Sequence, residues 1–170
     1  MKAIVYTSNT GSTARYAAML GQETGLPVYS MDEAKRAVPA GAEVLYLGWL
    51  MASGIKGYAK AVKRYHVRAV CAVGMGSTGS QLELVREKNA VPADVPLFTL
   101  QGNLDASKLR GVYQLMISIM MKSSGKGLSE KPDRTPEEDD LLDAIQNRRD
   151  WICPENLTAV LDWYRTAEKQ

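Results

Sequence analysis

Near the start of the chain, six small polar residues lie between an apolar run and an amphipathic segment: Ser8, Asn9, Thr10, Gly11, Ser12 and Thr13. This composition suits the holding of an anion. If the run is a strand and the segment a helix, the loop sits at a helix N-terminus. Backbone N–H groups there lack intrahelical partners, and the helix dipole is positive. The hydroxyls of Ser8, Thr10, Ser12 and Thr13 can add donors, and Gly11 lets the backbone approach a ligand closely. No Lys or Arg occupies the loop, so a phosphate would be held by neutral donors, which suits a monophosphate better than a triphosphate. The Gly-Lys-Ser/Thr that grips a nucleoside triphosphate is absent. The plainer alternative is a turn with a well-capped helix behind it.

The elements around this loop follow from hydrophobic periodicity. Ala3–Thr7 is short, β-branched and aromatic, and predicts a buried strand. Residues 13–24 carry Ala14, Ala17, Ala18 and Leu20 at helical spacing, with Gly25 placed to end the helix. Val28–Met31 predicts a brief strand; Glu43–Leu50, Arg68–Gly74 and Pro96–Leu100 predict three more. Helical patterns cover Lys56–Tyr65, Ser80–Lys88, Leu109–Lys122, residues 135–147 and Pro154–Lys169, with a polar loop over Ser123–Pro136. Thr135-Pro-Glu-Glu138 has the form of a helix start.

Apolar strands alternating with amphipathic helices predict an α/β fold, an open parallel five-stranded sheet with helices on both faces. The order 2-1-3-4-5 is the natural one, with a C-terminal helical extension on a single domain spanning 1–170 (core 1–122, extension 123–170). Ligands of such sheets bind beyond the carboxyl ends of the strands, at the switch point in strand order. Three loops meet there: Ser8–Thr13, Leu50–Gly57 and Met75–Ser80, all rich in Gly, Ser, Thr and Ala.

The stretch Ile4–Leu20 resembles the flavodoxin signature, through the apolar and aromatic strand, Ser8, Gly11-Ser-Thr13, and Ala17 and Leu20 in the helix. The resemblance implies that Ser8–Thr13 binds the phosphate of non-covalent FMN. It implies that Trp49, Leu50, Met51, Ala52, Ser53 and Gly54 line the isoalloxazine ring. A peptide near Gly54 or Ala52 would turn toward flavin N5, and Trp49 would either stack on the ring or belong to the core. Gly74, Met75, Gly76, Ser77 and Thr78 correspond to the other ring-lining loop, with backbone N–H groups for the pyrimidine carbonyls. The aromatic and acidic residues common in that loop of the carriers are missing here, which leaves one face of the ring open. Gly102-Asn-Leu-Asp-Ala-Ser-Lys-Leu-Arg110, Leu115–Gly125, Trp151 and Asn156–Arg165 are similar to menaquinone-dependent protoporphyrinogen dehydrogenases. Those enzymes carry a longer basic insertion where this chain has only Ser80–Asp94.

Three functions follow from these readings. The first is an FMN-binding oxidoreductase acting on a small planar substrate or a quinone, protoporphyrinogen oxidation being the implied example. The second is a flavodoxin-type carrier between redox partner proteins. The third is a flavin-free binding module. Carriers of this kind are strongly acidic, because charge steers them to their partners; a pI near 8.5 argues against that role. The three loops hold no His, Cys or carboxylate pair, so no catalytic side chain and no metal ligand is expected.

Composition sets the remaining bounds. The 170 residues are 45% apolar and 24% charged, with a net charge of +2. Residues 1–127 carry 15 Lys and Arg against 8 Asp and Glu; residues 128–170 carry 6 against 11. The basic body either attracts an anionic partner or is neutralised by its own tail. Lys56, Lys60, Lys63, Arg64 and Arg68 read as a solvated face or an anion-docking one. His66 receives no role, and Met116, Met120 and Met121 read as core or interface. Cys71 and Cys153 are expected as reduced thiols. No transmembrane segment, no signal sequence and no nucleic-acid partner is expected. The location expected is cytoplasmic, with peripheral membrane contact and a homodimer left open.

Overall fold

Three apolar runs form the centre of the sheet because each is apolar on both of its faces. Strand β1 is Ala3–Thr7, β3 is Glu43–Met51 and β5 is His66–Gly74, with β2 at Val28–Ser30, β4 at Gly54–Ile55 and β6 at Leu97–Gln101. The structure, a computed structural model, describes residues 1–103 and 150–167. The sequence patterns over Leu109–Lys122, Ser123–Pro136 and 135–147, with Met116, Met120 and Met121, lie outside the described residues.

The sheet runs β2-β1-β3-β5-β6, and all four of these pairings are parallel. The two-residue β4 folds back antiparallel on the end of β3. With β4 set aside, the five parallel strands stand in the expected order, 2-1-3-4-5 in chain sequence. The two-residue period of a strand divides each apolar run between two cores. Ala3, Val5, Val44, Tyr46, Val70 and Ala72 face one side; Ile4, Leu45, Leu47, Ala69, Cys71 and Val73 face the other. Each fully buried Leu, Ile or Val stabilises the fold by about 1.5–3 kcal/mol.

Helices cover both faces. Helix α1 (Ser12–Thr24) buries Tyr16, Ala17 and Leu20 against the Ile4–Leu45 side. On that side it is joined by a 3-10 turn, Pro154–Leu157, and α5 (Thr158–Ala167), through Leu157 and Val160. The other face takes α2 (Met31–Ala37), α3 (Tyr58–Arg64) and α4 (Leu82–Asn89), through Met31, Ala34, Tyr58, Ala61 and Val85.

Several boundaries differ from the sequence expectation. The second strand stops at Ser30 because Ser30 caps α2: its hydroxyl accepts from the Glu33 N–H while the Glu33 carboxylate accepts from the Ser30 N–H. Strand β5 starts two residues earlier than expected. The register shifts between Val44 and Leu45, so that Val67 and Ala69 pair on either side of an exposed Arg68. Arg68 donates to Glu43 at 2.6 Å, which accounts for a charge inside an apolar strand. Residues 154–157 form a 3-10 turn rather than the start of the last helix. No helix among the described residues is long and apolar enough to cross a membrane.

Candidate functional site

The chain winds from β1 to β2 on one side and returns to β3 on the other, so the switch point lies between β1 and β3. A cavity of about 580 Å³ opens there, beyond the carboxyl ends of β1, β3, β5 and β6. That volume lies within the range of small-molecule and cofactor sites.

The first loop supplies Asn9, Thr10, Ser12 and Thr13 to the wall. Gly11 adopts φ +104°, a conformation open to glycine, and no side chain caps the helix it precedes. The Gly11 N–H instead donates to Ser8 Oγ at 3.2 Å, which closes the turn. The helical ladder begins with the Arg15 N–H donating to the Gly11 carbonyl at 3.0 Å. The amides of Ser12, Thr13 and Ala14 therefore precede the ladder at the positive end of α1. The Ser12 hydroxyl is already engaged: it donates to the Asn103 carbonyl at 3.0 Å and accepts from the Asn103 N–H. Of the four hydroxyls in the loop, that of Ser12 serves the protein's own structure, and that of Ser8 accepts from Gly11 and does not line the cavity.

The second loop supplies Trp49, Leu50, Met51, Ala52 and Ser53. Met51 pairs with Gly54 across a two-residue hairpin, and both Ala52 (φ +46°) and Ser53 (φ +61°) are left-handed. Paired positive φ values fit a type I′ turn, a geometry that favours Asn-Gly and strains Ala and Ser. Gly54 belongs to β4 and does not line the cavity. Trp49 is half-buried and lines the cavity; the Lys56 ammonium lies 5.9 Å from its ring centroid.

The third loop supplies Gly74, Met75 and Gly76, then Ser80 and Gln81. Ser77 and Thr78 are not part of the wall. The Ser77 carbonyl accepts from the Ser80 N–H and hydroxyl, and the Thr78 hydroxyl donates to Asn156 Oδ1 while accepting from the Gln101 N–H. Thr99 also donates to the Ser80 carbonyl, so the loop is tied to β6.

The end of β6 is the part that the loop analysis missed. Gly102 and Asn103 join Val73, Thr99 and Leu100 in the wall. The signal was present, since Gly102-Asn103 follows directly on the last apolar strand. Gly102 has no room for a side chain: a Cβ would lie 2.6 Å from Val73 Cγ1.

Behind this end sits a polar network. Asp150 accepts from Asn103 Nδ2 at 2.7 Å, from Arg15 at 2.8 Å and from the Ile152 N–H at 3.0 Å. Partial burial pushes its carboxyl up, but the Asn103 amide, the Ile152 N–H and the Arg15 guanidinium outweigh it and hold it below the usual aspartate range. Tyr16 donates to the Gln101 carbonyl and accepts from Asn156 Nδ2; burial raises its pKa against that second bond.

No ionisable side chain among the described residues lines the cavity. Its apolar wall is Trp49, Leu50, Met51, Val73, Met75 and Leu100, and its polar end is the α1 amides with Asn9 and Thr10. No protein-family model, no curated protein and no solved structure matches this chain. The chemistry of the site therefore has to be read from the site itself. Such a cavity offers an apolar lining together with neutral donors, which suits a largely apolar molecule bearing one anionic group. Among the described residues, no group of three His, Cys, Asp or Glu could hold a metal ion.

Proposed function

We propose that this protein is a flavodoxin-like FMN oxidoreductase. One observation carries the reading: a cavity at the sheet's switch point, lined among the described residues by neutral side chains alone, joins apolar walls to the first-turn amides of a helix N-terminus. The donor set fits the cofactor. Thr10 and the first-turn amides of α1 would hold the phosphate; Trp49, Leu50 and Met51 would flank the ring; Gly74, Met75 and Gly76 would face its pyrimidine end. When bound, FMN supplies one- and two-electron chemistry at its ring.

The chain's own part is to bind, orient and exclude water, because no acid or base among the described residues lines the cavity. The substrate or acceptor is then a small planar molecule, with a quinone and protoporphyrinogen as candidates drawn from the sequence resemblance. The alternative of a carrier between proteins uses the same site. The small net charge of the chain, +2, favours the enzyme, because a carrier's steering needs a strong field of one sign.

The test begins with colour. Purified protein, or protein given FMN, should absorb at about 450 nm as bound flavin does. A chain that takes up neither FMN nor riboflavin would sink the proposal. Thr10→Ala should weaken FMN by about tenfold, the worth of one hydrogen bond to a charged group, and leave riboflavin binding unchanged. Equal loss of both would remove the phosphate assignment. Anaerobic reduction by protoporphyrinogen or NAD(P)H, followed by reoxidation with a menaquinone analogue, separates enzyme from carrier.

A further inference from the structure

Asn89, in the last turn of α4, reaches across to the hairpin that walls the cavity. Its Oδ1 accepts from the Ile55 N–H at 2.7 Å, and its Nδ2 donates to the Ser53 carbonyl at 2.8 Å and to the Val85 carbonyl at 2.7 Å. One amide side chain thus grips the last residue of the turn and the short returning strand, and anchors them to its own helix. The two strained residues, Ala52 at φ +46° and Ser53 at φ +61°, lead directly into the gripped groups. Neither residue type favours this conformation, and a two-residue β4 is too short to impose it by pairing alone.

From this geometry we infer that Asn89 is a positioning residue for the ligand site, resting on the reading of the cavity as a flavin pocket. It holds the Ala52–Ser53 turn in its strained form, so the wall facing a ligand's ring is set before the ligand arrives. It pins the Ser53 carbonyl and the Ile55 amide. The peptide between Ala52 and Ser53 is left as the group that can rotate, since neither its carbonyl nor its amide is held by Asn89. Preorganisation of this kind raises affinity by removing the cost of ordering the loop on binding. Asn fits this role where Asp does not, because two of the three bonds require a donor.

The hairpin's bond at the end away from the turn, from the Lys56 N–H to the Trp49 carbonyl at 3.0 Å, does not involve Asn89 and reports on the hairpin independently. Asn89→Ala should speed hydrogen exchange at the Lys56 amide by about tenfold or more, and should weaken FMN and riboflavin by the same factor. Asn89→Asp, of nearly equal size, should do likewise. Adding Ala52→Gly and Ser53→Gly to Asn89→Ala should bring Lys56 exchange and both affinities back to within about threefold of wild type, since glycine accepts positive φ without strain.

That rescue separates positioning from mere packing of α4, which glycines in the turn would not repair. Unchanged exchange at Lys56 in both Asn89 variants, or a failure of the glycines to restore it, would overturn the inference. Should the wild-type chain bind no flavin, the functional proposal falls, and the exchange measurement, which needs no ligand, still decides whether Asn89 sets the turn.

Discussion

Gly57 holds φ +86°, and a Cβ placed on it would run into the Tyr46 hydroxyl and Thr7 Oγ1. That hydroxyl donates to the Lys56 carbonyl at 2.7 Å and pairs with Thr7 Oγ1 at 2.8 Å; burial pushes its pKa up to about 12. Gly57→Ala therefore meets backbone strain and a clash together, and should cost about 2–4 kcal/mol in a urea unfolding curve. Asp150 gives a prediction of the opposite kind, small and dependent on pH. Its folded pKa is depressed, so the stability it contributes is full above the ordinary aspartate range and is lost as pH falls through the lower folded value. Wild type should lose up to about 1 kcal/mol more than Asp150→Asn on going from pH 7 to pH 3, a limit set by the half-exposed Arg15 partner. Melting curves of both chains across that range check the sign. Single residues were unevenly legible in the sequence. Gly11 stood out because a loop before a helix needs its conformation, whereas Ser12 looked like a ligand donor and is instead bonded to Asn103. The partner lies 91 residues away, where no local pattern points to it.

At the level of elements, periodicity located the central strands well and the short pieces poorly. Strands β1, β3 and β5 were legible because strands buried on both faces are apolar throughout. Helix α2 was not, since its seven residues carry only Met31 and Ala34 as buried positions. Its one clear signal was the Ser30-x-x-Glu33 box, which overlaps the end of β2. Ser30→Ala removes the hydroxyl that accepts from the Glu33 N–H, leaves the backbone N–H that donates to the Glu33 carboxylate, and should cost about 1 kcal/mol by chemical denaturation. A loss below a few tenths would mean that packing of Met31 and Ala34 alone holds the helix. The hairpin after β3 was hidden for a related reason: Ala52-Ser53 lacks the Asn-Gly or Asp-Gly that announces a type I′ turn. An unfavoured pair held there by Asn89 lies in the wall of the cavity, where strain tends to be kept. The candidate loops were thus placed correctly at the sheet's end, while the strained turn and the contribution of β6 emerged only from the fold.

For the molecule as a whole, the cavity and the core meet at the segment that follows residue 150. Leu157 is fully buried against the α1 face. Next to it, Asn156 bonds to Thr78 of the third loop, to Tyr16 of α1 and to the Trp151 carbonyl. Loss of core packing at Leu157 should therefore be felt in two cavity walls as well as in stability. Leu157→Ala should cost about 2–5 kcal/mol, the range for a buried leucine truncation. If the cavity is a flavin site, FMN at a hundredfold excess over the variant's own dissociation constant should restore about 2.7 kcal/mol, because it binds only the folded chain. The variant's FMN affinity should fall along with its stability, since Asn156 loses its firm base. Urea unfolding of the variant with and without FMN, beside a direct titration, measures both. Full loss of stability with unchanged FMN affinity would mean that the cavity walls stand independently of the segment after residue 150. No stabilisation of either chain by FMN, even at millimolar concentration, would remove the flavin from the site.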